Sequence, residues 1–407
     1  MKKNLVNEFD LLDSVIVHSP GYHEHELMTP KNLNPEDKKN YLLFDDILFI
    51  EKALQEHKAF TNIIKKITGE KKCFQLLNLF KEVVSDKKIA NGFLHDIGFQ
   101  NVDKLTYNGK PLLEYHAFPA ILAMKVCSGI KDFKPLINIM FTRDLGISIG
   151  NSIIITWASN KVRNLENIIA KYIIKNHKLF SECSIYDFHE NHPELAFEGG
   201  DVTLINKEVI AIGVSERTSK ASVEAIAPFL CENGIKYIMC FNMPEERRFM
   251  HLDTVFSIIN ANEAIVYPPF FEQGNSQELK VDIIKTSRKG PLSTSTLKAS
   301  RAFKEIGIDM NLIQCGGNNP ITQEREQWTD GANAFCLAPG IIISYDRNPI
   351  TLLELEKHNY KKISTNDFLA LDNFDRNQKT VITIESGELS RGRGGPRCMT
   401  MPINRIK

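Results

Sequence analysis

The segment around position 251 places an imidazole and a carboxylate two residues apart, in the order His251-Leu252-Asp253. Alternate side chains of a β-strand point to the same face, so on a strand His251 and Asp253 would face a common space. Histidine has an ordinary pKa close to neutral pH, which suits proton transfer. A strand whose polar face meets solvent would show the same spacing, and the pair alone leaves both interpretations open.

Cys398 has different neighbours from the other cysteines, most of which lie in apolar segments. It follows the run Ser390-Arg-Gly-Arg-Gly-Gly-Pro-Arg397, where we expect a flexible loop to meet a strand. Arg393 and Arg397 would favour the thiolate of Cys398, which is the nucleophilic form of cysteine. Residue type alone also allows an inert core cysteine.

Three further carboxylates stand at equivalent points of two segments. Asp144 ends Phe141-Thr-Arg-Asp144, and Glu198 and Asp201 flank two glycines in Glu198-Gly-Gly-Asp201. A guanidinium group is planar, permanently charged and rich in N–H donors, so two carboxylates can hold it through paired, charge-assisted hydrogen bonds. Asp144 and Asp253 suit that task, whereas the glycines beside Asp201 favour a turn there.

The elements that would position these residues follow a repeated pattern. Each copy contains a polar or acidic tetrad, a short apolar run, an Asn or Gly turn and a β-branched run, which predicts a β-hairpin. A helical periodicity often follows, as in residues 160–177 and 219–232. Modules of this kind in a closed ring would bring the tetrads together, and an ordinary open α/β sheet is the alternative. The tetrads are Phe141–Asp144, Glu198–Asp201, His251–Thr254 and Asp330–Asn333, with a partial copy at Cys398.

Residues of about 69–135 interrupt this pattern. The stretches 74–80 and 112–124 have helical periodicity, and no strand pairs are predicted between them. We therefore predict one catalytic α/β domain formed by residues 1–68 and 136–407, with residues 69–135 as a helical insertion.

The composition excludes several classes of partner. The 50 Lys and Arg residues balance 50 Asp and Glu residues without a long run of either sign, which argues against nucleic acid and membrane surfaces. No stretch of about 18 apolar residues could span a membrane, and the N-terminal residues lack the apolar core of a secretory signal. We expect a soluble, cytoplasmic protein with reduced cysteines that binds a small molecule.

Two segments, His23-Glu24-His25 and His189-Glu-Asn-His192, resemble metal-ligand spacing. Each lies in a polar, loop-like stretch without a third ligand at an obvious spacing. No glycine motif of the phosphate-binding type joins a strand to a helix. We therefore predict no metal and no cofactor.

A set of motifs in the same order resembles the arginine deiminase family. The resemblance runs from Val15-Ile-Val-His-Ser-Pro-Gly21 through Glu324-Arg-Glu-Gln-Trp328 to the C-terminus and is weakest in the helical insertion. It implies a five-module, pseudo-symmetric α/β propeller of the guanidino-group-modifying, or pentein, superfamily. One departure is Leu145-Gly146, where many relatives have proline. The motifs are Phe141-Thr-Arg-Asp144, Phe197-Glu-Gly-Gly-Asp201, Met250-His-Leu-Asp-Thr254 and Gly392-Arg-Gly-Gly-Pro-Arg-Cys-Met-Thr-Met-Pro402.

The resemblance also implies roles for the reacting groups. Cys398 would be the nucleophile and His251 the general acid and base. Glu198 would hydrogen-bond the substrate and orient the imidazole, and Asp144 with Asp253 would hold the guanidinium.

For the amino-acid end of the substrate, the resemblance implies that Asn138, Arg163 and Arg217 hold the α-carboxylate and backbone. Phe141 would be a further substrate-binding residue, and Arg393 would lie on the loop that closes over the substrate. From the sequence alone, Arg163 lies in a helix-like stretch and would pass for a solvated surface charge.

The implied activity is hydrolysis of the guanidinium group of free L-arginine to L-citrulline and ammonia, through a covalent thiouronium intermediate on Cys398. A deiminase or amidinotransferase of another guanidine compound is an alternative, although Arg163 and Arg217 argue against agmatine, which has no carboxylate. A non-catalytic arginine-binding protein is a further alternative and would need neither Cys398 nor His251. The sequence also allows a homo-oligomer.

Overall fold

Five β-sheets of three to five strands form the framework of the computed structural model, which describes residues 3–25, 28–37, 39–99, 106–107, 110–111 and 135–407. Every one of these sheets contains an antiparallel strand pair and a further strand that runs parallel to one member of that pair. A helix lies between the pair and the further strand along the chain. The predicted repeat of strand, strand and helix is therefore confirmed.

The strands of each sheet are as follows. The first sheet contains β1 (Leu11–Val17), β2 (Cys73–Gln75) and β20 (Met401–Ile406). The second contains β5 (Gly146–Ile149), β6 (Ser152–Ile155) and β7 (Ser184–Asp187). The third contains β8 (Val202–Asn206), β9 (Val209–Val214), β10 (Tyr237–Asn242), β13 (Lys280–Ser287) and β14 (Gly290–Lys298). The fourth contains β11 (Phe256–Asn260), β12 (Glu263–Val266) and β15 (Asn311–Gln314), and the fifth contains β16 (Phe335–Ala338), β17 (Ile341–Tyr345), β18 (Lys361–Ser364) and β19 (Thr380–Ile384).

The helices pack outside these sheets or connect their strands. No helix in the described ranges is long and apolar enough to cross a membrane. The helices are α1 (Tyr22–His25), α2 (Ile50–Thr68), α3 (Leu76–Val83), α4 (Lys87–Asp96), α5 (Asn164–Asn176), α6 (Phe188–Asn191), α7 (Lys220–Glu232), α8 (Pro268–Phe271), α9 (Ala299–Glu305), α10 (Pro320–Trp328), α11 (Pro349–Lys357) and α12 (Thr365–Ala370).

Local sequence explains where these elements begin and turn. The β-branched run at 153–155 is buried in β6, and Gly150 supplies the left-handed backbone (φ 58°) between β5 and β6. Ser219 accepts a hydrogen bond from the Ser222 N–H at the start of α7. Asn319 caps α10 in the same way, with Pro320 in the first helical turn.

Three of the polar tetrads form short 3₁₀ turns at the entry to a hairpin. These turns are Thr142–Leu145, Gly199–Asp201 and Leu252–Thr254. The prediction that His251 and Asp253 share a strand is therefore wrong. The Thr254 N–H and hydroxyl both donate to the His251 carbonyl, at 3.1 and 2.7 Å, and this closes the turn before β11 begins.

The region of the predicted insertion contains both helices and strands. Helices α3 and α4 lie within it, as expected from their periodicity. Contrary to the expected lack of strand pairs, β2 pairs with β1, and β3 (Thr106–Tyr107) pairs with β4 (Lys110–Pro111). The stretch 112–124 lies outside the described residues. The boundaries at 69 and 135 stay a prediction.

A buried ion network connects turns from several modules. The Arg397 guanidinium donates to the carboxylates of Asp253 (2.9 Å) and Glu8 (3.1 Å) and to the carbonyl of Val202 (2.7 Å). Arg143 Nη1 lies 3.5 Å from the same Glu8 oxygen. Burial alone would raise the pKa of Glu8, but the guanidiniums of Arg397 and Arg143 hold it below its ordinary value. Glu8 therefore stays charged and balances two buried cations.

Glu8→Ala should lower the free energy of unfolding by about 3–5 kcal/mol, because it leaves Arg143 and Arg397 buried without their shared anion. Urea unfolding followed by circular dichroism measures this change. Glu194→Ala, at an exposed position, is the control and should change stability by less than about 0.5 kcal/mol. Equal stability of the two variants would contradict the structural importance of Glu8.

Candidate active site

The predicted reacting residues converge on one cavity. Asp144, His251 and Cys398 line it, and Glu198 and Asp253 stand directly behind them. All five side chains are buried. They are contributed by four separate segments of the chain, because His251 and Asp253 share one turn.

The glycines of Glu198-Gly-Gly-Asp201 allow these turns to touch. A Cβ atom on Gly200 would lie 2.4 Å from His251 Nδ1 and 2.9 Å from Asp144 Oδ1. The Gly200 N–H donates to Asp144 Oδ1 at 2.9 Å. Asp201 accepts from the Leu252 N–H at 3.0 Å and therefore anchors the turn that follows His251, in addition to its expected place in a turn of its own.

His251 lies between carboxylates. Its Nε2 is 2.9 Å from Glu198 Oε2, and its Nδ1 is 3.7 Å from Asp144 Oδ1. Burial alone would lower the pKa of this imidazole, but the charges of Asp144 and Asp201 and the hydrogen bond to Glu198 raise it to about 9. His251 is therefore protonated at neutral pH and can act first as an acid.

Cys398 lies among anions instead of cations. Its Sγ is 3.6 Å from Asp253 Oδ2 and 3.1 Å from Asn333 Nδ2. Burial and the negative charges of Asp253, Asp330 and Asp144 raise the pKa of the thiol well above its ordinary value.

The expectation that Arg393 and Arg397 hold Cys398 as a thiolate is therefore wrong. Arg397 directs its guanidinium to Glu8 and Asp253. Arg393 stacks on the Trp328 ring, with its guanidinium carbon 3.7 Å from the ring centroid, and donates to the Trp328 carbonyl. The attraction of these arginines does not outweigh burial and the neighbouring carboxylates.

The two carboxylates predicted to hold a guanidinium are each partly occupied by an arginine of the chain. Asp144 Oδ2 accepts from Arg163 Nη1 at 2.5 Å, and Asp253 Oδ2 accepts from Arg397 Nη1 at 2.9 Å. Asp253 Oδ1 is buried and accepts no hydrogen bond from the described part of the chain. A buried acceptor without a donor is costly, so this oxygen is prepared for a donor that is absent here.

The two arginines predicted to bind a substrate carboxylate differ in their surroundings. Arg163 is buried, which contradicts its surface-like sequence context, and it donates to Asp144, Glu166 and the carbonyls of Asn138 and Phe141. Arg217 is also buried, and its Nη2 has no hydrogen-bond partner among the described residues. Arg217 is therefore the better placed of the two to receive an anionic group.

The remaining predicted substrate-binding residues line the same cavity. Asn138 donates to the Leu42 carbonyl at 2.8 Å, which fixes its amide. The Phe141 ring stacks on Phe44 and lies so close to Gly394 that a Cβ there would be 2.2 Å from it. The loop that carries Arg393 therefore packs directly on Phe141. Arg393 itself has a left-handed backbone, with a φ of 61°.

Among the residues at this site that were not predicted from the sequence are two that contact predicted site residues directly. Asn333 contacts the thiol of Cys398, and Glu166 accepts from Arg163 Nε at 2.8 Å. Asn333 belongs to the tetrad Asp330–Asn333, so the repeat pattern was the available signal. Glu166 has no such signal in the sequence, because it has the spacing of an ordinary helical residue.

The histidine segments with metal-like spacing have other contacts. His25 Nδ1 lies 3.1 Å from the Gly21 carbonyl, and the side chain of His23 is outside the described atoms. His189 stacks on Trp157 with ring centroids 3.7 Å apart. His192 Nε2 lies 3.0 Å from the Tyr186 hydroxyl.

Asp144, Glu198 and His251 are the one group in the described ranges whose ligand atoms lie within 4.8 Å of one another, close enough to share a metal ion. Their other contacts do not suit a cation. Asp144 is paired with Arg163, and Arg217 Nη1 lies 3.7 Å from Glu198 Oε2. An added ion would meet two permanent positive charges, so these residues fit proton transfer better than metal binding.

Residues 119–405 match the sequence model of a family described as arginine deiminase. The chain belongs to the arginine deiminase family. Proteins named arginine deiminase from Treponema denticola and from Mycoplasma capricolum subsp. capricolum are 34% and 32% identical to it. The alignments cover 99% of this chain and 98% and 97% of those relatives, respectively.

A solved structure supports the arginine deiminase fold. The N-terminal domain of ArgZ, described as an arginine dihydrolase bound to its product, has a TM-score of 0.55 with this chain at 14% identity. The comparison covers 97% of this chain and 98% of that domain. The predicted α/β fold class of the superfamily is therefore confirmed, and the five sheets are compatible with the propeller arrangement.

In this arginine deiminase family member, an NMR titration of labelled histidines should show the His251 ring protonated at neutral pH, with a pKa near 9. Glu198→Gln should lower that pKa by roughly one to three units, because burial then acts against the imidazolium without its closest anion. His57, whose pKa burial lowers to about 3, is the internal control and should stay neutral. A neutral His251 at pH 7 in the unchanged chain would contradict this interpretation.

Proposed function

We propose that this chain hydrolyses free L-arginine to L-citrulline and ammonia, with Cys398 as the nucleophile. The observation that carries the proposal is the buried thiol that faces an imidazolium and two carboxylates across one cavity. Membership of the arginine deiminase family supports the same reaction. The chain is thus a hydrolase of carbon–nitrogen bonds in an amidine group.

Binding of the substrate guanidinium uses Asp144 and Asp253. Asp253 Oδ1 has no other donor in the described chain and accepts an N–H of the guanidinium. The bound cation offsets the negative charges of Asp144 and Asp253, which raise the pKa of the Cys398 thiol. The thiol therefore ionises when the substrate binds. Its proton leaves to solvent and is balanced at the end of the reaction by the ammonia, which is released as ammonium.

The first half of the reaction replaces ammonia by sulfur. The Cys398 thiolate attacks the guanidinium carbon, and a C–S bond forms. The His251 imidazolium gives its proton to the departing nitrogen, the C–N bond breaks, and ammonia leaves a thiouronium on Cys398. Glu198 accepts a hydrogen bond from the imidazole and holds it in position.

The second half of the reaction replaces sulfur by water. His251 is now neutral and removes a proton from a water molecule as that water attacks the same carbon. The C–S bond breaks and the departing sulfur takes up the remaining hydroxyl proton of the adduct, so that citrulline forms, Cys398 returns as a thiol and His251 is again an imidazolium. Glu198 and Asp144 favour the reprotonated imidazole, which prepares His251 for the next turnover.

The amino-acid end of arginine meets Arg217 and Asn138. Arg217 has an unpaired buried Nη2, which suits one oxygen of an α-carboxylate. Arg163 already binds Asp144 and Glu166, and it supports the site mainly by fixing Asp144. Arg393 lines the same cavity while its guanidinium stacks on Trp328.

The alternative functions receive less support. A non-catalytic arginine-binding protein would need neither a buried imidazolium nor a thiol at the cavity. A deiminase for agmatine would leave Arg217 Nη2 without an acceptor, because agmatine has no carboxylate. An amidinotransferase would use the same first half-reaction, and the product assay below separates it from hydrolysis.

We also infer a cytoplasmic location, because the seven cysteines in the described part of the chain are all unpaired and Cys398 must stay reduced. A small-molecule partner follows from the enclosed cavity. A homo-oligomer remains our expectation, and size-exclusion chromatography with light scattering would determine it.

Cys398→Ala should abolish citrulline formation from arginine, because no other group described at the cavity can form the thiouronium. Citrulline and ammonia are measured together, with and without iodoacetamide. Cys183→Ala, which removes a half-buried thiol elsewhere, is the control and should keep full activity. Turnover by Cys398→Ala, or a guanidine transfer product from the unchanged chain, would contradict the proposal.

Arg217→Lys should lower kcat/KM for arginine by about tenfold or more, because lysine keeps a positive charge near Glu198 but loses the guanidinium fork for the carboxylate. The low rate with agmatine should change much less, since agmatine has no carboxylate to lose. Arg288→Lys, at an exposed position, is the matched control. Equal losses for both substrates would show that Arg217 does not recognise the carboxylate.

A further inference from the structure

We propose that Asn333 is a further catalytic residue, whose side-chain N–H stabilises the thiolate of Cys398 during attack. This inference rests on the proposed function, in which Cys398 is the nucleophile. It assigns a role to the tetrad Asp330–Asn333, whose chemistry the sequence did not reveal.

The carboxamide of Asn333 is fully buried and makes four hydrogen bonds at the nucleophile. Its Oδ1 accepts from the backbone N–H groups of Arg397 (3.0 Å) and Cys398 (3.2 Å). Its Nδ2 donates to the Asp253 carbonyl (2.9 Å) and to Cys398 Sγ (3.1 Å). These contacts use the full capacity of an amide.

The orientation of this amide follows from its neighbours. The two backbone N–H groups can only donate, so the atom facing them must be the oxygen. The NH₂ group then necessarily faces the sulfur and the Asp253 carbonyl. Asn333 therefore fixes the backbone on both sides of the Arg397–Cys398 peptide bond and at the same time presents a donor to Sγ.

The thiolate needs such a donor because its other close neighbours are anionic. Asp253, Asp330 and Asp144 all act against a negative charge on the sulfur, whereas a backbone hydrogen bond from Gly395 favours it. The thiol proton itself points to Asp253 Oδ2, at 3.6 Å. Once this proton has left, the Asn333 N–H remains directed at the charged sulfur.

Gly395 shows how closely this arrangement is packed. A Cβ atom at Gly395 would lie 2.6 Å from both Cβ and Oδ1 of Asn333, so a side chain there would displace the amide. On the other side, the backbone N–H of Asn333 donates to the Asp330 carbonyl at 3.0 Å and closes the turn. The backbone of Asn333 and its side-chain amide are therefore both fixed, which preorganises the side-chain N–H for the sulfur.

Asn333→Asp tests this role, because it keeps the shape and the oxygen that accepts two N–H groups and replaces the donor by an oxygen. The rate of Cys398 alkylation by iodoacetamide is measured by mass spectrometry of the Cys398 peptide from pH 7 to pH 9.5. Loss of a hydrogen bond to a charged group should lower this rate roughly ten- to hundredfold at each pH. The kcat for arginine should fall on the same scale, with folding unchanged by circular dichroism.

Asn348→Asp is the matched control, because Asn348 is equally buried and bonds Thr329 away from the sulfur. It should leave the alkylation rate unchanged. If Asn333→Asp does not fold, Asn333→Ser gives the same test, since its shorter side chain cannot place a donor at Sγ. Unchanged alkylation in the folded Asn333 variant, or an equal loss in Asn348→Asp, would overturn the proposal.

The alkylation assay needs no substrate, so it separates this proposal from the proposed function. If the unchanged chain makes no citrulline but Asn333→Asp still slows alkylation of Cys398, the proposed reaction fails and the role of Asn333 at the thiolate stands. If citrulline forms and the variant alkylates normally, the reverse holds.

Discussion

Charge balance in a buried space is the constraint on which this structure depends. Glu8, Asp144, Glu198 and Asp253 lie where water can hardly reach them, and each is paired with a guanidinium of the chain. Burying ions is expensive, and removal of one partner leaves the other uncompensated. The turns between the strands are therefore more than connections, because they must supply both signs of charge in the same buried space. The pairing of β1 with β20 brings Glu8 and Arg397 into this network from distant parts of the chain.

The same balance sets the resting state of the site. The buried arginines bind some of the carboxylate oxygens, but Asp253 Oδ1 and Arg217 Nη2 have no hydrogen-bond partner in the described chain. One is an acceptor and the other a donor, so together they match a ligand with a cationic and an anionic end. The nearby negative charges raise the pKa of both His251 and Cys398 and so favour their protonated forms. A cationic ligand would offset these charges next to the sulfur.

The hairpins and the helices after them could be predicted from the sequence, because periodicity and turn residues are local signals. The family could be predicted because a set of motifs in a fixed order resembles it. It also brought His251 and Asp253 together correctly but for the wrong reason, since the 3₁₀ turn at Leu252–Thr254 replaces the expected strand. Burial of charged residues could not be predicted: Arg163 has helix-like spacing, yet it is buried and forms an ion pair with Asp144. The charge state of Cys398 was misjudged because nearby arginines in sequence are directed elsewhere in space. The role of Asn333 was not predicted because its hydrogen-bond partners are 64 and 65 residues away along the chain.

The raised pKa of the Cys398 thiol has a consequence for the oxidation of this residue. Peroxides attack thiolates far faster than thiols, and the products beyond sulfenic acid are not readily reversed. In the proposed mechanism Cys398 ionises only while a cation lies beside Asp253, so its reactive form is present for a small part of the time. The carboxylates around Cys398 thus protect its sulfur from oxidation between turnovers. The sulfur is vulnerable to oxidants mainly during turnover.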